Sequence, residues 1–316
     1  MTIPFDIDEI FPEDAAGAVR LPRRQAGSSP QGLAVTLLAD YTLRPRSWLP
    51  SAAIVALLAE SDVSQAGARS AISRLARRGV LEGSRQGRHS SYRLTDAAAA
   101  NLSAGGHWIV ASMTEVETWD GQWTLVAFSL PQDRHVQRRA LRDQLRWLGY
   151  APLYDGLWVS PHDLESKAKD QLAQLTFGAV TVFRARQVEL EAMVGRDPLE
   201  AWDTKAISGH YESFIGRWSA LLPRIGSGDL RGAEAVRART EVMDTFRRFP
   251  FLDPRLPVRL LPTDWLREPA AEVFAAVYDG LSEAAQDHVR AVADRFTDGT
   301  PPGIEAHRVA DLLAGV

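Results

Sequence analysis

The chain has no cysteine among its 316 residues. That absence removes disulfide scaffolds, thiolate metal sites and thiol catalysis together, and it fits a cytoplasmic protein. Lysine is scarce, and arginine supplies nearly all the positive charge, a usage that reports genome composition rather than function. No apolar run approaches the roughly 18–20 residues that span a bilayer, so no membrane partner is expected. The opening MTIPFDIDEIF is acidic where a signal peptide would be basic and then apolar. The histidines lack the HExxH spacing of a zinc site, and no G-x-S-x-G nucleophile elbow occurs. Neither a metal nor a cofactor is expected.

What is present is an uneven distribution of charge. The total is −4, yet residues 1–27 carry −2, residues 28–103 carry +4, and the rest carries −6. Within residues 65–95 there are seven arginines and one acid, Glu82. A basic module on an acidic body has a polyanion as its natural partner.

The basic stretch, VSQAGARSAISRLARRGVLEGSRQGRHSSYR, reads as a helix followed by two short strands around a Gly-Arg turn. Ser64 is a good N-cap, and Gly79 suits the left-handed position after the last helical residue. Ala68, Ile72, Leu75 and Ala76 share one face at helical spacing, while Ser70, Ser73, Arg74 and Arg77 lie opposite, with Arg69 on the flank. A charge run alone indicates only a solvated helix and a surface hairpin. The combination of a short upstream helix, a tight turn, a small-residue-rich basic helix and a basic hairpin is the sequence form of a winged helix-turn-helix. In that arrangement Ser64, Gln65, Arg69 and Ser70 are candidates for base edges. Arg74, Arg77, Arg85 and Arg88 are candidates for phosphates, and His89 meets phosphate or solvent.

Taken in order, residues 1–30 read as a flexible tail and 31–105 as the winged helix-turn-helix. Its helices lie at GLAVTLLADYTL, with Leu33, Leu37, Leu38 and Tyr41 on one face, and at SAAIVALLAE. After the wing, Asp96 is expected to cap a short alanine-rich segment ending at Gly105-Gly106. Residues 115–192 follow the order β-α-β-β-α-β of a ferredoxin-like unit. The strand WTLVAFSLP leads into a helix with Val136, Leu141, Leu145 and Leu148 inside. A hairpin then turns at Asp155-Gly156, DLESKAKDQLAQLT is a second helix, and AVTVFRARQVEL is the last strand. Such units pair through their sheets, so a homodimer interface is expected here. Residues 196–316 read as all-helical, with three long patterns at 201–222, 233–249 and 268–296. The fold class expected is therefore α+β and multidomain.

Several stretches together identify a family resemblance. RRQAGSSPQGLAVTLLADY, the ARSAISRLARRGVL-wing-SYRLT segment, DGLWVSP and above all FRRFPFLDPRLPVRLLPTDW resemble the PaaX-like transcriptional repressors over nearly the whole length. The resemblance implies a middle domain with the fold of the small CRISPR spacer-acquisition nucleases, used for dimerisation. It implies a dimer that represses a catabolic operon by binding an inverted repeat in double-stranded DNA. The founding type releases DNA on binding phenylacetyl-coenzyme A. Paralogues differ in what they sense, so a small effector is expected, an acyl-coenzyme A or an aromatic acid among the choices, without naming one.

The enzymatic rival is a metal-dependent nuclease using the middle domain. It needs an acidic ligand at the end of the first strand, and here the strand ends Ala127-Phe128-Ser129, with Asp133 the nearest acid. Asp163, after His162, reads as a helix cap, and Gly226-Ser227-Gly228 as a turn. Trp202, Tyr211, Phe214, Trp218 and Trp265 read as core before effector pocket. Arg247 and Arg248, late in a helix and just before the family signature, are candidate counter-charges for an anionic effector, with an ion pair to the LLPTDW loop as the plainer reading. Tyr211, Arg247, Arg248 and Trp265 are thus the candidate effector residues.

Overall fold

The computed structural model describes residues 29–87, 89–114, 118–131, 133–164, 180–188, 197–297 and 303–315. The expected N-terminal tail and nearly all of the expected second helix of the middle domain lie outside them. In chain order the elements are α1 (Pro30–Thr42), β1 (Leu49–Pro50), α2 (Ser51–Ala59), α3 (Gln65–Arg77), β2 (Leu81–Gln86), β3 (His89–Leu94) and α4 (Asp96–Thr114). Then come β4 (Trp123–Phe128), α5 (His135–Trp147), β5 (Ala151–Tyr154), β6 (Leu157–Ser160) and β7 (Val180–Ala185). The helical remainder holds α6 (Thr204–Ser219), α7 (Leu222–Gly226), α8 (Gly232–Phe246), α9 (Phe249–Leu252), α10 (Arg267–Gly280), α11 (Ser282–Asp294) and α12 (Val309–Ala314). The chain is thus mixed α+β, with two antiparallel sheets. It forms two compact units, neither continuous in sequence: 1–112 with 214–247 and 269–316, and 113–213 with 248–268.

In the first unit, α1 starts at Ser29, whose Oγ accepts the Gly32 N–H at 3.1 Å, with Pro30 in the first turn. Leu37, Leu38 and Tyr41 are buried as their spacing requires, and Leu33 is half-buried. The three-stranded sheet has the order β1-β3-β2. Its two-residue β1 was not expected in the loop RPRSWLPS; Leu49 pairs with Tyr92 and Pro50 with Ser91. Gln86 faces His89 across the hairpin, and Gly87, at φ 59°, supplies the backbone conformation of a two-residue turn.

Two helical expectations are corrected. The segment after the wing does not end at Gly105-Gly106 but runs to Thr114, and its cap is Thr95, whose Oγ1 accepts the Ala98 N–H at 3.2 Å. Gly106 is there for close approach, since a Cβ on it would come within 2.9 Å of a Leu312 methyl. The expected single helix over 268–296 is two, α10 and α11, joined at Leu281. A Cβ on Gly280 would meet the Ile225 Cγ2 methyl at 2.7 Å, so at the break the α10 backbone lies close against that side chain.

These helices share one core with α1. Arg239 of α8 is fully buried and donates to the carbonyls of Tyr278 and His307. Its guanidinium lies 3.6 Å from the Tyr278 ring centroid. The Tyr278 hydroxyl donates to Asp40 Oδ1 at 2.8 Å, and the Glu305 and His307 N–H groups donate to the Tyr41 and Asp40 carbonyls. Farther along, Glu60 at the end of α2 pairs with His288 of α11 at 2.9 Å. Phe246 stacks on Phe274 beneath.

In the second unit the sheet order is β5-β6-β4-β7. One face packs Val126 and Trp158 against Leu141 and Leu145 of α5, with Leu148 partly buried beside them. The other buries Trp123, Leu153 and Val159 under Trp119, Leu199, Trp202 and Leu260. Val136, expected inside, is 83% exposed. Five residues before Leu141 is about 140° off the buried stripe at roughly 100° per residue, so it faces outward. Asp155-Gly156 makes the expected two-residue turn, with Gly156 at φ 78° and its carbonyl accepting the Phe128 N–H.

Candidate nucleic-acid interface

Helix α3 is built to present one face. Ser64 Oγ accepts the Gly67 N–H at 3.1 Å, a cap of the kind that contributes about 1 kcal/mol. Gly79 lies at φ 71°, and the Val80 N–H returns to the Leu75 carbonyl, closing the helix end. Ala68, Ala71, Ile72 and Leu75 are buried against α1 and α2. Burying Ile72 and Leu75 contributes about 1.5–3 kcal/mol each, which fixes the rotation of the helix about its own axis.

Every described residue expected to touch DNA is therefore outward. Ser64, Gln65, Arg69, Ser70, Ser73, Arg74, Arg77, Arg85 and His89 are all exposed. Gln65, Arg69 and Ser73 follow one another at four-residue intervals along the helix. Among the described residues Arg85 donates to the Gly87 carbonyl at 3.3 Å, beside the hairpin turn. Arg88 lies outside the described residues. Among the described residues, Arg69, Arg74 and Arg77 have no carboxylate at ion-pair distance.

Not all the basic residues of this stretch are available. Arg93 donates to Glu82 Oε1 at 2.7 Å, and Arg46 donates to the same oxygen at 2.6 Å, as well as to Asp96. The Arg93 guanidinium also covers the Trp48 ring at 4.5 Å. The single acid of the basic run thus fastens the base of the hairpin to the loop before β1. Its isolation among seven arginines was the signal for such a role, and Arg46 and Trp48 had none.

A cleft of about 1130 Å³ opens beside this face. Its floor is the outer side of α2, from Ala52 to Ala59, and its walls include Gln65, Arg69 and His89. Arg295 and Phe296, just past α11, complete it.

Tyr211 and Trp265 come together, rings 5.8 Å apart, around the buried Asp253 of the FLDPRLP segment. Asp253 accepts from the Tyr211 hydroxyl at 2.6 Å and from the Trp265 ring at 3.3 Å. It takes two further bonds from Arg267, at 2.7 and 2.9 Å. Burial, and then the neighbouring carboxylate, push the Tyr211 hydroxyl far above its ordinary pKa. Burial works against the charge on Arg267, but Asp253 outweighs it and the pKa is raised. Arg247, at the end of α8, pairs with Asp244 one turn back at 2.5 Å, and not with the LLPTDW loop. Arg248 is half-buried before α9. Trp202 stacks on Trp123, whereas Phe214 and Trp218 pack in the other unit.

Of the acids near β4, Asp133 is exposed in the following turn and Asp120 is paired with Arg184 at 2.7 Å. The described residues contain no group of three or more acids and histidines able to hold a metal. No described helix is long and apolar enough to cross a membrane.

Three family models match the chain: PaaX-like protein over residues 29–98, PaaX protein central Cas2-like domain over 116–194, and PaaX-like protein C-terminal domain over 202–291. The transcriptional repressor PaaX of Escherichia coli is 27% identical over 246 residues, covering 75% of each chain. Among solved structures, the uncharacterized protein Rv0674 of Mycobacterium tuberculosis is similar in fold, with a TM-score of 0.55 and 22% identity. That similarity covers 84% of this chain and 98% of the other.

Proposed function

We propose that this chain, which belongs to the PaaX-like family, is a transcriptional repressor that binds double-stranded DNA through α3 and the β2–β3 hairpin. The family is one of regulators, and the chain is not an enzyme. The observation that carries the reading is the outer face of α3: a capped helix, rotated by its buried side, that turns Gln65, Arg69, Ser73, Arg74 and Arg77 outward, with no acid at ion-pair distance from these arginines among the described residues.

In this reading α1 to α3 and the hairpin act as a winged helix-turn-helix. Gln65, Arg69 and Ser70 read base edges, while Arg74, Arg77 and Arg85 hold phosphates. The strand order β5-β6-β4-β7 is that of a ferredoxin-like sheet, and the match to a Cas2-like domain supports pairing of two copies through it. A dimer would place two α3 helices on an inverted repeat, with half-sites roughly 10 bp apart or a multiple of that. Release by a small anionic effector, an acyl-coenzyme A or aromatic acid, completes the proposal, with Arg247 and Arg248 as the counter-charges to test. A ligand of this kind works only through different affinities for the free and DNA-bound states. The regulated operon would be catabolic and the protein cytoplasmic.

The test is a gel shift with the duplex upstream of its own gene against a shuffled duplex of equal composition. Preferential retardation of the first is expected; equal or no retardation of both counts against a repressor.

A further inference from the structure

The cleft beside α3 joins residues that lie more than 200 positions apart in sequence, and its lining has one chemical character. It holds Arg69, Arg295 and His89, a set of hydroxyls and an apolar floor, and among the described residues no carboxylate. That is unusual in a chain with 40 acidic residues against 36 basic ones.

Arg295 is the unexplained member. It is exposed, and it lies over the ring of its neighbour Phe296 at 5.8 Å. Among the described residues it has no hydrogen-bond or ion-pair partner. Several nearby arginines are held: Arg217 by Glu241, Arg224 by Glu234, Arg308 by Glu283, and Arg290 by the Ile304 carbonyl; Arg237 of α8 is exposed like Arg295 but does not line the cleft. Arg295 is also well placed by its scaffold. Val289 and Val292 of α11 are buried, and His288 is tied to Glu60 at the end of α2, so the helix runs beside α2 toward the cleft.

A helix C-terminus disfavours an anion, with a partial charge of about −0.5. Here the Ala293 carbonyl is taken by the Phe296 N–H and the Thr297 hydroxyl, and the full charge on Arg295 exceeds what remains.

We propose that Arg295 is a DNA-phosphate contact, so that the nucleic-acid surface continues from α3 and the hairpin across the cleft to the end of α11. The proposal rests on the DNA-binding reading above. The cleft spans from the base-reading start of α3 to the hairpin, where a duplex docked on both would carry a sugar-phosphate strand. The C-terminal helices then take part in binding directly and are not merely a sensor attached to a reader.

The experiment uses the full chain with Arg295→Ala, Arg295→Lys and Arg69→Ala. Binding to a 40-bp duplex upstream of its gene and to a shuffled duplex is followed by fluorescence anisotropy over a salt series. Arg295→Ala is expected to weaken both complexes equally, about fivefold to tenfold. It should lower the slope of log K against log salt by about one, with an unchanged melting temperature, and Arg295→Lys should restore most of both. Wild-type affinity and slope in Arg295→Ala, or a loss confined to the upstream duplex, would overturn the proposal. If Arg69→Ala weakens binding and Arg295→Ala does not, only this extension falls. If wild type binds neither duplex, or if both alanine variants are silent, the DNA-binding reading falls with it.

Discussion

The Tyr278 hydroxyl donates a 2.8 Å hydrogen bond to Asp40 Oδ1, across 238 positions of sequence, and both side chains are buried. Helix α1, which packs against α3, is therefore also held by the C-terminal helices. Tyr278→Phe should destabilise the chain by about 1–3 kcal/mol, the cost of a buried acceptor left short of its donor. Denaturant titration of the two proteins measures it. By the same relationship, residues 29–98 cut out alone should show little cooperative unfolding by circular dichroism, because Asp40 and Tyr41 lose Arg239, Tyr278 and His307 together.

Arg69 and Arg74 lie on the outward side of one helix but are assigned different partners. Arg69→Ala should cost about 1–3 kcal/mol of discrimination between the upstream duplex and a shuffled one, as expected for a lost base contact. Arg74→Ala should weaken both complexes alike and reduce the salt slope by about one unit. Titrations at several salt concentrations distinguish the two patterns, and a uniform effect of Arg69→Ala would reassign it to phosphate.

Asp253 is 1% exposed and accepts four hydrogen bonds from Tyr211, Trp265 and Arg267. Asp253→Asn removes the charge that balances the buried guanidinium. A loss of about 3–5 kcal/mol is expected, the usual cost of breaking a buried pair from one side. Thermal melts should show it, and a melting temperature within a degree of wild type would mean that Arg267 finds another acceptor.

His307 gives the chain a dependence on pH. Burial lowers its pKa below the ordinary 6.5, with Asp40 and Asp311 opposing and Arg239 adding to the shift. Between its folded value and 6.5 the unfolded chain binds more protons. The stability from a neutral His307 is thus complete above about 6.5 and is lost as pH falls through that window, at up to about 1.4 kcal/mol per pH unit. Asp40 works the other way: burial raises its pKa, so its contribution is complete below 3.8 and is lost as pH rises through the folded value. Denaturant melts from pH 5 to 8 on the wild type and on His307→Gln separate the two: the substitution should remove the loss of stability toward acid that His307 contributes and leave the opposite slope due to Asp40.

Much of α3 and its flanks was legible because short-range rules decide it. The Ser64 cap, the Ala68–Ile72–Leu75 stripe and the Gly79 terminus each depend on residues within one or two turns. The same holds for Asp155-Gly156. What escaped reading depends on distant partners. Gly105-Gly106 has the chemistry of a stop, yet the helix runs through it to Thr114, and Gly106 packs closely against a Leu312 methyl far away in sequence. The two residues of β1 have no period at all, and Pro50 argues against a strand until Ser91 lies beside it. Asp40 was a visible anomaly, an acid among the buried positions of α1, but nothing near it pointed to Tyr278. At the family signature the sequence singled out Arg247 and Arg248, whereas the densest polar contacts belong to Asp253 and Arg267. Two residues 14 apart, one in an irregular, proline-rich loop and the other at the first position of α10, carry no periodic mark of their pairing.

The Asp40–Tyr278 bond also bears on the order in which the chain is synthesised. A ribosome that has completed α3 still has roughly 200 residues to add before Tyr278, about 10–40 s at common elongation rates. Until then α1 emerges with a buried-type acid and no donor to receive it, and Glu60 waits equally for His288. The nascent α1 and α2, on which α3 packs, are therefore without these partners throughout most of translation. Messages cut short before α10 would yield chains that do not compete for DNA, so a nonsense mutation should act as a simple loss and not interfere with intact copies.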